Sequence, residues 1–248
     1  MSRMPTRIYP YLSHNWGRLP PLKRYSNYCL DFDAIGKSVS VAAVPNLHIT
    51  GNLWVEAWIR PNSSGEGGFG RIMNKAPAIS FYFNGAGVQD IRFEIRVAAA
   101  AQIAASVGGA VTYGRWHHIV GGYNGVNVLL FVDRVPFVGA ATVGPIDGHL
   151  AANLTIGDRT VLGRVFDGPI DEFRFMPVAP TQALVDEAFK RGYAIREGDA
   201  RCILRMEEGS GLLANDISGY GNNGVLLPAP TPPTWIEVMK HELLAEVA

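Results

Sequence analysis

The stretch GEGGFG, residues 65–70, fits the G-x-G-x-x-G spacing that cradles phosphates in dinucleotide-binding folds. That chemistry requires a strand before the motif and a helix directly after it, because the helix N-terminus faces the pyrophosphate. Pro77 and a run of β-branched and aromatic residues follow instead, and they do not open an amphipathic helix. We therefore predict a flexible loop between antiparallel strands and no nucleotide site.

Carboxylates are the next candidates for chemistry. Asp90 and Glu94 share a strand face but lack the E-x-D-x-E spacing of glucanases, in which two carboxylates flank one sugar. Asp171 and Glu172 are adjacent, so on a strand they point to opposite faces. We interpret all four as solvated surface charge and predict that the protein is not an enzyme.

The histidines and cysteines do not form a recognisable centre. His117 and His118 are adjacent, so a strand would direct them apart and they would not bind one metal ion together. No Ser–His–Asp set is readable from the sequence. Cys29 and Cys202 are too far apart in the chain for a zinc motif. Two separate buried thiols are favoured over one disulfide, which stays open.

The composition excludes several classes of partner. Lys+Arg and Asp+Glu both number 22 in 248 residues, so there is no general attraction to nucleic acid or an anionic membrane. No apolar run approaches the ~18 residues that a membrane span needs. The N-terminus has no apolar core of a secretory signal. We expect synthesis in the cytoplasm, with release only as part of a larger particle.

The elements that would position these residues are mostly short strands. From Tyr28 onward, β-forming runs alternate with Gly, Asn and Asp clusters, and Asn124-Gly125 predicts a type I′ hairpin turn. We also interpret the Ala-rich residues 98–105 as strand. One helix is predicted at 181–192, capped by Thr181 and ended by Gly192. The prediction is an all-β, two-sheet antiparallel jelly-roll sandwich with one short helix and an extended N-terminal arm.

One predicted strand, LWVEAWIRP, shows both faces of a sheet. Residues 55, 57 and 59 would face one way, and residues 54, 56 and 58 the other. Because both sets are largely apolar, we expect a central strand with its second face partly covered.

Residues 1–27 differ from the rest, since they contain four prolines and several basic residues but no acidic one. Prolines forbid a regular helix or central strand, so we interpret the segment as an extended arm. It either packs on its own domain or docks on a partner through aromatic and basic anchors. The candidate partner-binding residues are Arg3, Arg7, Tyr9, Tyr11, Trp16 and Arg18.

Several stretches together resemble the laminin-G-like jelly roll of the concanavalin-A-like lectin/glucanase superfamily. They are LDFDAIGKSVSV (30–41), LHITGNLWVEAWIRP (47–61), GRWHHIVGGYNGVNVLLFVDRV (114–135), LTIGD (154–158) and FDGPIDEFRF (166–175). The resemblance implies two antiparallel sheets packed face to face. It also suggests that Asp33 and Asp171 approach each other, which would allow a Ca²⁺ site. Carbohydrate binding, the family's commonest role, would use exposed aromatics, for which Trp54, Trp58, Tyr82 and Tyr123 are candidates.

The expected organisation has four parts. These are the arm (1–27), the jelly roll (28–180), the helix (181–192) and a C-terminal segment (200–248) that completes the sandwich or begins a second copy. Family members that have an arm and lack catalytic residues look like virion-associated proteins of bacterial viruses. The leading hypothesis is therefore a non-catalytic capsid-decoration or tail protein that binds neighbouring subunits, with homo-oligomers as an option. The alternative hypotheses are a carbohydrate-binding adhesion module, assisted by Ca²⁺ or not, and a cytoplasmic scaffold domain.

Overall fold

A computed structural model describes residues 28–33, 36–159, 163–192, 197–228 and 231–238. These residues form sixteen strands and one α-helix. The strands are β1 Tyr28–Phe32, β2 Ser38–Val41, β3 Leu53–Ile59, β4 Arg71–Lys75, β5 Ile79–Phe83, β6 Ile91–Val97, β7 Ala100–Ala105, β8 His117–Tyr123, β9 Asn127–Val132, β10 Val135–Ala141, β11 Leu154–Ile156, β12 Gly168–Met176, β13 Cys202–Leu204, β14 Leu213–Ala214, β15 Gly224–Leu227 and β16 Thr234–Glu237. The helix, α1, is Gln182–Arg191.

The described strands form two antiparallel sheets, as predicted. Sheet A has the order β10-β9-β8-β3-β12-β1-β16, and β13 pairs with β12 beyond the end of β1. Sheet B has the order β14-β15-β2-β11-β4-β5-β6-β7. The main core lies between them and draws on the alternate residues of both, for example Val55 from β3 and Phe93 from β6. No described helix is long and apolar enough to cross a membrane.

Strand β3 is central in sheet A and is buried on both faces, which confirms the prediction from its sequence. Val55, Ala57 and Ile59 belong to the main core. On the outer face, Trp54 packs in a second cluster with residues of α1, namely Val185 and Ala188. The outer face of sheet A is therefore covered by the helix.

Helix α1 has the caps that its sequence predicts. Thr181 accepts the amide hydrogen of Leu184 through its side chain, and Gly192 ends the helix in the left-handed conformation at φ 75°. Lys190 and Arg191 lie in the last turn, where the helix dipole favours positive charge. The polar termini are thus satisfied while the apolar side covers sheet A.

The glycine-rich stretch 65–70 is a loop, as predicted, but it connects two sheets rather than paired strands. It runs from β3 in sheet A to β4 in sheet B and contains only a short 3₁₀ turn at Glu66–Gly68. A Cβ atom on Gly68 would lie 2.4 Å from the Ala86 nitrogen, and one on Gly65 would lie 2.4 Å from the Val165 oxygen. The glycines therefore serve close backbone packing, and β4 rather than a helix follows them.

The hairpin at Asn124-Gly125 is confirmed, but its turn is not type I′. Gly125 has a positive φ of 87°, whereas Asn124 is not among the residues with positive φ. The Asn124 side chain instead accepts the amide hydrogens of Val126 and Asn127. An Asx-type turn therefore joins β8 to β9.

The described residues 200–228 and 231–238 contribute four strands to the two sheets, and one of them, β14, pairs with β15. β13 pairs with β12 and β16 pairs with β1 in sheet A, while β15 pairs with β2 in sheet B. Cys29 and Cys202 are both buried and free, so the interpretation as two separate thiols is confirmed.

Candidate functional site

A groove lies beside edge strand β16 and has a volume of about 470 Å³. That size falls in the usual range for small-molecule sites. Its wall combines backbone of the glycine-rich turn before β14, a proline pair, two threonines, a lysine and a tryptophan. The lining residues are Lys37, Gly209, Gly211, Thr231, Pro232, Pro233, Thr234 and Trp235.

Trp235 is the aromatic side chain of this groove. It packs against the main core while remaining partly exposed, and its indole N–H donates to the Gly211 carbonyl at 2.9 Å. The other tryptophans that the structure describes, Trp54, Trp58 and Trp116, are at most 2% exposed. Within the described ranges, Trp235 is therefore the one indole ring that a ligand can reach.

The groove has a polar rim held by side-chain contacts. The Lys37 ammonium is paired with Asp33 and lies 3.5 Å from the Thr234 hydroxyl. Near the start of β1, the Tyr28 hydroxyl donates to Glu237 at 3.2 Å, and this bond raises the pKa of Tyr28. Gly209, at φ 69°, passes the Tyr28 ring so closely that an added Cβ would lie 2.8 Å from it. The wall on this side therefore requires glycine.

A smaller acidic cleft of about 200 Å³ adjoins the groove through the Lys37–Asp33 pair. Ser63 and Asn62 both donate to the Asp167 carboxylate, at 2.5 and 3.2 Å. Burial, and then the neighbouring Asp33, raises the pKa of Asp31. The cleft lining is Phe32, Asp33, Ser63, Gly65, Glu66, Val165, Phe166 and Asp167.

The prediction that Asp33 and Asp171 approach each other is wrong, because the strand register keeps them apart. Phe32 lies opposite Gly168 and Leu30 opposite Ile170 in the β1–β12 pair. Asp171 thus lies about four residues along the strand from Asp33, or roughly 13 Å. Among the residues that the structure describes, no group of three or more His, Cys, Asp or Glu side chains is arranged to hold a metal ion.

The prediction that exposed aromatic side chains form a sugar-binding platform on the sheet faces is also wrong. Trp54 and Trp58 lie beneath α1, and Tyr123 lies in the main core. Tyr82 is on the outer face of sheet B, but it is 8% exposed under the Arg71 guanidinium. Their burial depends on which elements cover each face, which the strand pattern alone does not define.

Asp171 and Glu172 are buried, so their interpretation as solvated surface charge is wrong. Glu172 pairs with the fully buried Arg174 at 2.8 Å, and Glu197 completes the cluster at 2.7 Å. Asp90 is likewise only 7% exposed. The sequence did carry a signal here, because Glu172 and Arg174 are two residues apart and therefore share a face.

The adjacent histidines point apart, as predicted, and each joins a different set of groups. His118 bonds to the buried Glu56 at 2.9 Å. His117 Nδ1 lies 2.7 Å from Asp133, and its Nε2 lies 3.1 Å from the Thr112 hydroxyl. Sequence reasoning missed this hydroxyl–imidazole–carboxylate chain, because 21 positions separate its ends.

The chain Thr112–His117–Asp133 braces two loops. The Thr112 amide donates to His117 Nε2 at 3.0 Å, so the lone pair that a general base needs is occupied. Asp133 Oδ1 also accepts the amide hydrogen of His118 at 2.8 Å. The set ties the loop before β8 to the turn between β9 and β10.

The predicted partner-binding residues Arg3, Arg7, Tyr9, Tyr11, Trp16 and Arg18 lie outside the described residues. The structure therefore does not test the arm or its docking. The virion hypothesis that depends on it stays a prediction.

Comparison with known proteins defines the class. A laminin G family model, described as the concanavalin A-like lectin/glucanases superfamily, matches residues 33–186, which is more than half of the chain. The chain belongs to this family. A search of curated proteins gives no match.

Several solved structures are similar to this chain. A candidate carbohydrate-binding protein from Bacteroides ovatus has a TM-score of 0.64 at 14% identity, covering 86% of this chain and 60% of its own. The mouse laminin α1 chain, domains LG4-5, has a TM-score of 0.49 at 14% identity, covering 60% and 41%. Domain 4 of an arabinanase from Geobacillus stearothermophilus, in complex with arabinotriose, has a TM-score of 0.44 at 15% identity, covering 64% and 80%. The likeness to the Bacteroides protein shows a shared fold.

Proposed function

We propose that this protein is a non-catalytic carbohydrate-binding module and that the groove beside β16 is its glycan site. The observation that carries the proposal is the partly exposed Trp235 in a groove that also presents hydroxyl and ammonium groups. Sugar rings have apolar C–H faces that stack on an aromatic ring, while their hydroxyls need nearby donors and acceptors. The groove supplies both kinds of contact.

Two further facts support this function. The chain shares its fold with a candidate carbohydrate-binding protein, although it spans only 60% of that protein. The imidazole most suggestive of catalysis, His117, has its Nε2 atom bonded to a backbone amide. Binding without bond cleavage is therefore the function that the described residues support best.

The test is a glycan array on the full chain, followed by calorimetry with the best oligosaccharide. Replacing Trp235 with alanine should lower the affinity about tenfold, because a stacked aromatic contributes on the order of 1 kcal/mol or more. Tyr220→Ala is the matched control, since Tyr220 is exposed on the same C-terminal segment but does not line the groove. An array with no bound glycan, or equal losses in the two variants, would overturn the proposal.

A further inference from the structure

The outer face of sheet B is polar, and no described helix covers it. One row of directly paired residues runs across neighbouring strands through Ser40, Thr155, Asn74, Ser80 and Glu94. The row beside it consists of Arg71, Tyr82 and Arg92 on β4, β5 and β6. This second row therefore places an arginine on the strand at each side of Tyr82.

Two side chains of the second row, Arg71 and Tyr82, are held in place by contacts. The Arg71 guanidinium carbon lies 3.9 Å from the centre of the Tyr82 ring, and the Tyr82 hydroxyl donates to Glu94 at 2.8 Å. Such stacking orients a guanidinium while leaving its in-plane N–H groups available for hydrogen bonds. Arg71 and Arg92 are both partly exposed, and a ligand in solvent reaches their terminal nitrogens outside the buried set, namely Nη2 of Arg71 and both Nη atoms of Arg92.

Both arginines have donors without a partner. The Nε and Nη1 atoms of Arg71 and the Nε atom of Arg92 are buried, and no group in the described residues accepts a hydrogen bond from them. Buried polar atoms in folded proteins are nearly always paired, and a guanidinium N–H can only donate. Any partner of these donors must therefore be an acceptor.

The charge around Arg71 indicates which kind of acceptor fits. Burial, together with the positive charges of Arg159 and Arg164, lowers the pKa of Arg71, while Tyr82 and Glu94 oppose this effect. Two guanidinium groups thus repel the charge of Arg71, and one carboxylate attracts it. An anionic acceptor would relieve their repulsion, whereas a neutral one would only fill the hydrogen bonds.

We propose that Arg71 and Arg92 form an oxyanion-binding site on the outer face of sheet B, beside Tyr82. Its ligand is a carboxylate, sulfate or phosphate group, which accepts hydrogen bonds from the accessible terminal N–H groups of both arginines. The oxyanion is either free or carried on a saccharide, because the partly exposed Ser80 in the adjoining row can bond a sugar hydroxyl. The site is separate from the Trp235 groove and does not rest on the function proposed for that groove.

Calorimetry on the full chain tests the site with four probes: inorganic sulfate, inorganic phosphate, an oligogalacturonate and a neutral oligosaccharide of equal length. We expect at least one anionic probe to bind at least about tenfold more tightly than the neutral one, and to weaken as salt is added. Preference for the oligogalacturonate would identify a saccharide-borne oxyanion, and preference for an inorganic ion a free one. Both results support the site.

The variants are Arg71→Gln and Arg92→Gln, each of which should weaken anion binding about tenfold or more. Arg115→Gln, at an exposed arginine before β8 of sheet A, is the matched control and should bind as the wild type does. If Arg71→Gln fails to fold, Arg92→Gln decides alone. The proposal is wrong if no anionic probe binds, or if the control loses as much affinity as the two variants.

Discussion

Lys75 is a fully buried cation that closes a long loop. Its ammonium donates to the backbone carbonyls of His149 and Ala152, in the segment between β10 and β11. Desolvation lowers the pKa of Lys75 to about 8. The neighbouring His149 is also buried, and burial lowers its pKa as well.

The lowered pKa of Lys75 predicts a pH dependence of stability. Between pH about 8 and 10.5 the unfolded state binds the extra proton, so the free energy of unfolding should rise with pH there, by up to about 3 kcal/mol. Lys75→Met removes this titration. Urea denaturation at pH 7.5, 8.5 and 9.5 should therefore show the wild type gaining stability relative to the variant. Parallel curves would contradict the prediction.

At the residue scale, the sequence predicted local chemistry well and burial poorly. The caps Thr181 and Gly192 were predictable because capping depends on immediate neighbours. The burial of Glu172 was not predicted, because Arg174 is a local partner but the fold brings Glu197 into the cluster from 23 positions beyond Arg174 along the chain. The sequence likewise did not predict the unpaired N–H donors of Arg71, since their surroundings depend on three adjacent strands.

At the scale of elements, the two sheets approach each other closely at Gly121 of β8. A Cβ atom there would lie 2.2 Å from the Phe93 ring of β6. Gly121→Ala should therefore lower the free energy of unfolding by about 1–3 kcal/mol through overpacking. Gly51→Ala is the control, since nothing lies within 4 Å of its added Cβ and its φ is not positive. Thermal unfolding compares the stabilities of the two variants, and equal melting temperatures would contradict the prediction.

Strand existence was more predictable than strand surroundings. The strand predicted within residues 98–105 is confirmed by β7, because neighbouring strand patterns and turn residues are local signals. The position of α1 over sheet A depends on tertiary packing. Trp54 and Trp58, two candidate sugar-binding residues, are therefore packing residues. The register of β1 on β12 is also tertiary, and it separated Asp33 from Asp171.

For the whole molecule, the strands after residue 199 belong to the same core as those before it. Cys202, Leu204, Met206 and Leu226 lie in the main cluster. A chain that ends at Asp199 should therefore lose its cooperative thermal transition, because β1, β2 and β12 lose neighbours and the core is left open. A chain that ends at Val238 keeps all four strands and should retain the transition. An unchanged transition in the shorter chain would show that residues 200–238 are dispensable.

The pairing of β1 with β16 also has a mechanical meaning. Tyr28 and Glu237 lie directly opposite each other at one end of this pair. A tension applied at these two points would load the ladder one hydrogen bond at a time, whereas a shear along the strands would share the force among all of them. Under such a tension, the hydrogen bonds between β16 and β1 would break one after another from this end, and the remaining strand pairs would not bear the force.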